Sequence, residues 1–299
     1  MAHTNEIRTR ISSVNNTKKI TNAMYLISST KLQHARRALN STRPYFDRME
    51  NEIRRIFQSE SDVKSRYFYP ETGRKPAETY AYLVITADKG LAGSYNYNVL
   101  RQVEEERKKH KKIKFYVVGE FGRHYFMKHN IPMEKAFLYT AQNPTMRRAR
   151  EICSILLTEY DENRVDEIRI IYSDMENELV SNVKLAKVLP FERKSFFTPE
   201  EERSQVDIHF QFYPSVTEVL DRCMPGYIAG FIYGALVDSF SAEQNARMTA
   251  MSSANNNAEA LLGRLQLQYN TVRQTAITQE ITEISAGAKA QRLHHEGRK

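Results

Sequence analysis

From Met1 to Arg43 the apolar residues recur at Ile7, Ile11 and Val14, then Ile20, Met24 and Ile27, then Leu32, Ala35 and Leu39. Spacings of three and four draw one stripe along a helix. Lys18, Thr21 and Ser28 interrupt it. Toward the other end Met251, Ala254, Ala258, Leu262, Leu265, Tyr269, Val272 and Ala276 keep the same spacing, and Ile277, Ile281 and Ile284 continue it slightly rotated. Both stripes are narrow and flanked by Asn, Gln, Ser and Thr, which fits the seam of a two-helix coiled coil better than a bundle core. Helices from opposite chain ends pair most simply in antiparallel fashion. Two surface helices laid on a middle domain are the alternative.

Helix breakers follow the same division. No Gly or Pro precedes Pro44, and no Pro follows Pro225. At about 1.5 Å per residue, the first 43 residues as helix reach roughly 65 Å and the last 73 roughly 110 Å. The second helix is expected to begin near Val216, with Val219 and Leu220 on the same face, and to be interrupted or kinked at Met224-Pro225-Gly226. Tyr227 to Phe240 is the least polar stretch. It is too short to span a bilayer, so Gly230 and Gly234 point to close packing on the first helix.

In the middle the period changes. Tyr80–Ala87, Ile113–Gly119 and Glu167–Ser173 are short β-branched and aromatic runs. Charged helical segments separate them at Tyr97–Lys109, Phe121–His129 and Pro144–Tyr160. Strand alternating with helix predicts a mostly parallel sheet with helices on its faces, and Leu179–Leu189 adds an edge strand. Segments 60–78 and 190–208 read as linkers. The expected organisation is an α/β fold: a coiled-coil helix over 1–58, a Rossmann-like domain over 79–190, and a second coiled-coil helix over 209–299.

Composition narrows the class. The 299 residues carry a net charge of +8 and are 41% hydrophobic, with no apolar run long enough for a membrane helix. The basic start, MAHTNEIRTR, lacks the apolar segment of a secretory signal. Cys153 and Cys223 form no CxxC pattern, so neither a disulfide scaffold nor a zinc ribbon is expected, and a reducing cytoplasm suits the chain. Residues 1–43 hold eight Lys or Arg against Glu6 alone, whereas 227–299 are nearly balanced. The first helix thus carries most of the excess charge, and either nucleic acid or an acidic protein surface would complement it.

Catalytic constellations do not emerge. The turn TADKGLAGSY (Thr86–Tyr95) follows the first strand where a Rossmann fold cradles phosphate, but it lacks the third Gly of GxGxxG and is not GxxxxGK[ST]. A structural turn and a phosphate loop both remain open there, and Asp88 and Lys89 suit a solvated ion pair as well as a site. The eight His are scattered, with no HExxH, and His294-His295 lies in a basic tail expected to be disordered. GxSxG is absent, and Glu201-Glu202 falls in linker-like sequence.

The two ends resemble the γ subunit family of F-type ATP synthase. IRTRISSVNNTKKITNAMYLISSTKL resembles the family's N-terminal helix, and SAEQNARMTAMSSANNNAEALLGRLQLQYNTVRQTAITQEITEISAGAKA its C-terminal one. ITADKGLAGSYN is similar to the family's turn, with Lys89 and Ala92 where Arg and Cys are common. The resemblance spans the whole chain and implies a non-catalytic central-stalk rotor that couples proton flow through the membrane c-ring to the catalytic β subunits. Its implied partners are the ring of three α and three β subunits, the ε subunit and the c-ring, with no cofactor, no metal, no nucleic acid and no direct nucleotide binding. Arg273 and Gln274, in VRQTAITQE, correspond to polar contacts with a β-subunit loop, with Thr278 one turn on. Met24 takes the position near the acidic lever of β, with Lys18, Lys19 and Lys31 beside it. Tyr213 falls at the c-ring foot. Lack of a chloroplast-type cysteine insertion and of a mitochondrial presequence implies a bacterial enzyme, peripheral on the cytoplasmic face of the inner membrane. The tail after Ala290 runs past the family's usual end and is expected to fray or protrude.

Overall fold

The structure, a computed structural model, describes residues 2–59, 65–68, 77–175, 181–192, 196 and 212–296, with side chains throughout except at 2, 3, 58, 59 and 290–296. Most of the expected linkers at 60–78 and 190–208 lies outside these residues. The described elements are α1 (Ala2–Ser59), β1 (Thr79–Ile85), α2 (Tyr95–Lys109), β2 (Lys112–Val118), α3 (Glu120–Lys128), α4 (Met146–Asp161), β3 (Glu167–Met175), β4 (Ser181–Leu189) and α5 (Val216–Glu296). Contacts divide the chain into two compact units, Met1–Ile27 with Thr249–Lys299, and Ser28–Met248. Both long helices therefore contribute to both units.

In the larger unit four strands run in the order β2-β1-β3-β4. β1 is parallel to β2 and to β3, while β4 pairs antiparallel with β3. Strand alternation sends Ala81, Leu83 and Ile85 to one face and Tyr82 and Val84 to the other. The first face packs with α4 through Ile152 and Leu156, with α1 through Ile53 and Ile56, and with α5 through Ile228 and Ile232. The second is covered by α2 and α3 through Val99, Val103 and Phe126. This is the three-layer arrangement of a Rossmann-like domain.

Charge on α2 is not all solvated. Glu106 is fully buried; it accepts from the Tyr82 hydroxyl at 2.7 Å, from Arg169 at 3.2 Å and from Lys109 at 2.7 Å. Those donors hold its carboxyl below the usual carboxylate range against the opposing effect of burial. β2, at the sheet margin, is protected because Phe115 O accepts from Glu134 N at 2.9 Å.

α5 runs unbroken through Pro225, and α1 through Pro44. Of the expected interruption or kink at Met224-Pro225-Gly226, the interruption does not occur; the helix is buried there at Leu220, Met224 and Ile228. Of the two glycines in the apolar stretch, only Gly230 meets the first helix. A Cβ there would lie 2.0 Å from the Phe46 ring, whereas Gly234 has nothing within 4 Å. α5 also continues as helix past Ala290 to Glu296, so His294-His295, expected to be disordered, lies in helix, and of fraying or protrusion, the two expectations for the tail, the first does not occur as far as Glu296.

In the smaller unit the two helices run antiparallel. Lys18 Nζ donates to Glu259 Oε1 at 3.0 Å, and the Thr21 hydroxyl donates to Asn255 Oδ1. As α1 advances from 18 to 21, α5 retreats from 259 to 255. Ile7, Met251 and Leu265 are the buried apolar residues of this seam.

Two stability predictions follow from the larger unit. Gly230→Ala lowers stability, by up to about 2 kcal/mol, because displacing Phe46 outweighs alanine's better helix propensity, whereas Gly234→Ala raises it by up to about 1 kcal/mol; urea unfolding measures both. Asp238, in α5, titrates at about 6 because burial and Asp174 disfavour its charge more than Lys184 and Arg43 favour it. Its folded pKa lies above the unfolded value, so the native state holds the extra proton and stability falls as pH rises from about 4 past 6. Asp238→Asn removes that decline, which melting temperatures across pH 4–7 will register.

Candidate partner-binding surface

Functional candidates from the resemblance fall at three places. On α5 of the smaller unit, Arg273, Gln274 and Thr278 are all exposed. Helical spacing brings them beside Ile277 and Ile281 on adjoining faces. Ile277, Ile281 and Ile284 are 47%, 59% and 72% exposed, and every residue from Ile277 to Lys289 is exposed. Of the apolar stripe read from the sequence, Met251 and Leu265 are buried, Leu262, Tyr269, Val272 and Ala276 are half-buried, and Ile277, Ile281 and Ile284 are open.

Met24, Lys18 and Lys19 form a second station in the same unit. The antiparallel step sets Met24 near position 252 of α5, about 30 Å along the helix from Arg273. Met24 is half-buried and Lys19 exposed. Lys18 is engaged with Glu259, so its charge is already partly met; with side chains 36% and 70% exposed the pair adds little stability. Between the stations a groove of about 540 Å³ opens between the helices, lined by Glu6, Ile7, Arg10, Leu265, Gln268 and Val272. Lys31 belongs to the larger unit, where its charge acts on Glu243.

The third place is Tyr213 in the larger unit, 94% exposed just ahead of α5.

In the turn after β1, Asp88 has a structural task. Asp88 Oδ1 accepts from Glu120 N at 3.2 Å and Ala141 N at 3.1 Å, and Oδ2 from Gln142 N at 3.2 Å and the Thr140 hydroxyl. Its carboxylate sits at the N-terminus of α3, where a negative charge is favoured. Asp88 is therefore neither in a solvated ion pair with Lys89 nor free to serve a ligand.

One pair escaped the sequence reading. Arg247 donates to Gly90 O at 3.1 Å and pairs with Glu243 at 2.7 Å, with side chains 10% and 4% exposed. Burial raises the Glu243 carboxyl pKa while Arg247 opposes that shift, and Glu243 Oε2 has no hydrogen-bond partner among the described residues. The spacing of four in EQNAR was the available signal; the buried turn that Arg247 grips was not visible. Among the described residues no group of three or more His, Cys, Asp or Glu is placed to hold a metal ion, and no helix is long and apolar enough to cross a membrane.

Fold and surface define a class: a chain combining a paired-helix unit with a Rossmann-like unit, with Arg273, Gln274 and Thr278 exposed on α5. A family profile described as ATP synthase matches residues 3–291. The ATP synthase gamma chain of Ruminiclostridium cellulolyticum is 41% identical over 287 residues, covering 95% of this chain and 97% of that one. That of Acetivibrio thermocellus is 38% identical, covering 97% and 99%. A solved assembly, the OSCP/F1/c-ring of Euglena gracilis mitochondrial ATP synthase, contains a chain of the same fold, with TM-score 0.68 at 15% identity, covering 100% of this chain and 96% of that one. The chain belongs to the ATP synthase γ-chain family. It is a non-catalytic central-stalk subunit of a membrane-associated complex, as the resemblance implied.

Arg247→Met strands the Glu243 carboxyl in the interior and is expected to cost about 3 kcal/mol. Adding Glu243→Gln should recover part of that loss, and a double-mutant cycle in urea measures the difference.

Proposed function

We propose that the smaller unit turns inside a ring of three α and three β subunits, and that Arg273, Gln274 and Thr278 contact one β subunit at a time. The observation that carries this reading is the open stripe of Ile277, Ile281 and Ile284 beside those polar residues. Three large aliphatic side chains in a row on a helix face are costly to leave in water, at about 1.5–3 kcal/mol for each full burial, and mark an interface. Met24 and Lys19 meet an acidic segment of β at the second station. Tyr213 lies at the foot toward the c-ring, beside which the ε subunit binds, and the assembly faces the cytoplasm.

Two unlike helices have no threefold symmetry, so the pair presents a different surface to each of three equivalent β subunits. Turning it changes which β conformation has the better contacts, and that differential free energy is what shifts a conformational equilibrium. Ion flow through the c-ring drives the rotation, and this chain needs no nucleotide of its own to transmit it.

Arg273→Ala and Gln274→Ala should each lower ATP-driven turnover of the assembled α3β3γ complex by about fivefold, the low end of a typical coupling energy, while the isolated chain melts unchanged. Unchanged turnover in both variants removes the assignment. Tyr213→Ala should leave turnover of that complex intact and weaken ion pumping in membrane vesicles.

A further inference from the structure

Spacing alone puts Ile20, Met24 and Ile27 on the stripe of α1, yet only Met24 keeps partial cover. Ile20, Leu26 and Ile27 are each more than half exposed, and Ala23 between them is exposed too. The covered side of α1 runs instead through Ile7, Val14, Lys18 and Tyr25. At 3.6 residues per turn, Ile20, Ala23 and Ile27 fall together on the opposite side of the helix. They form an apolar face about 10 Å long, with a shallow seat at Ala23 between two isoleucines.

α5 offers the contrary surface at the same levels. Thr21 pairs with Asn255, and Lys18 with Glu259, one turn away. Ile20, Ala23 and Ile27 therefore stand level with Asn256, Ser253 and Thr249. Those three share the outward side of α5, and all three are exposed. One side of the pair is thus aliphatic and the other is made of hydroxyls and amides. Covering the first removes apolar area from water, whereas covering the second takes hydrated polar groups out of it without return unless new hydrogen bonds form.

We propose that Ile20, Ala23 and Ile27 are the face of the helix pair that docks a β-subunit segment, and that the level face of α5 is the side that lets it go. The proposal rests on the reading that the smaller unit turns inside the α/β ring. It makes the contact mainly apolar, with charge at the margin. The segment that fits is apolar where it meets the isoleucines and acidic beside Lys19, because α1 carries no acid between Glu6 and Asp47 while Lys18 is already paired. A β subunit meeting the aliphatic side and one meeting the polar side then have unequal contacts at every angle of the shaft.

The assembled α3β3γ complex tests this. Ile20→Asn/Ile27→Asn should lower ATP-driven turnover about tenfold, within the range of a typical coupling energy, while the isolated chain melts unchanged. Ile20→Leu/Ile27→Leu should keep turnover. Ser253→Ile/Asn256→Ile, which gives the pair a second apolar face, should also lower it, because the two sides then cease to differ. Lys19→Glu should slow turnover more at low salt than at high salt. Full turnover in the asparagine variant, or a lower melting temperature for it, would overturn the proposal. Faster turnover in the variant with two apolar faces, or a salt-independent Lys19→Glu, would do so as well. Met24→Cys, in a chain carrying Cys153→Ala and Cys223→Ala and labelled with a benzophenone maleimide, checks the underlying reading separately. Capture of β together with full turnover in the asparagine variant sinks the proposal alone. Capture of α, or of neither subunit, sinks the reading and the proposal with it.

Discussion

Between Leu220 and Ala242, α5 carries more apolar surface than any one neighbour can cover. The sheet takes one side through Leu83, Ile85 and Ile170, and α1 takes another through Phe46 and Ile53. A helix committed on two sides has little freedom to rotate. Its approach to α1 is set by Gly230, where the Phe46 ring fills the space a side chain would need. The turn after β1 is then fastened to the same helix by Arg247, and Ser239 Oγ accepts from Ser173 N at 3.1 Å. Sheet, turn and first helix are each registered against α5, so the larger unit is organised about that one helix.

Much of this was legible in the sequence because burial leaves a period. The runs at Tyr80–Ala87, Ile113–Gly119 and Glu167–Ser173 became β1, β2 and β3 within two residues at each end, since β-branched and aromatic side chains fill both faces of a covered sheet. The stripes of both long helices were equally plain. Less legible was whatever depended on a partner distant in the chain. Pro225 reads as a break only if the helix must stabilise itself, and tertiary burial removed that condition. Glu106 reads as solvent-facing in a charged helix until Tyr82 and Arg169, on two strands, close around it. Asp88 belongs to the same kind: its four donors come from α3 and from residues 140–142, and no local pattern announces them.

The candidate surface was legible for a different reason. Nothing in the periodicity singles out Arg273, Gln274 or Thr278, which by spacing alone are ordinary exposed helix residues. The resemblance supplied them, and the structure adds that they lie next to isoleucines which the described residues do not cover. Lys18 shows the converse. Residue by residue its positive charge looks available, yet Glu259 lies 3.0 Å away across the seam. A count of charge along one helix overstates what that helix offers to another protein when its partner helix carries the opposing acids.

On the proposed reading, the two kinds of contact at the end of α5 have different tasks. Hydrophobic attraction is non-directional and scales with the area covered, so Ile277, Ile281 and Ile284 against an apolar wall lose little when the wall is replaced by an equivalent one at another angle. Hydrogen bonds from Arg273 and Gln274 are directional and weaken steeply when misaligned. A shaft held mainly by the first kind turns with small barriers, and a few contacts of the second kind are enough to distinguish one angle from the next. The energy that distinguishes angles must also stay small, because every contact made with one β subunit has to be surrendered before the next is reached. Two exposed polar residues beside an aliphatic stripe satisfy both conditions. A larger set of buried ion pairs would not, since each charge released from its partner would have to be rehydrated or left unpaired.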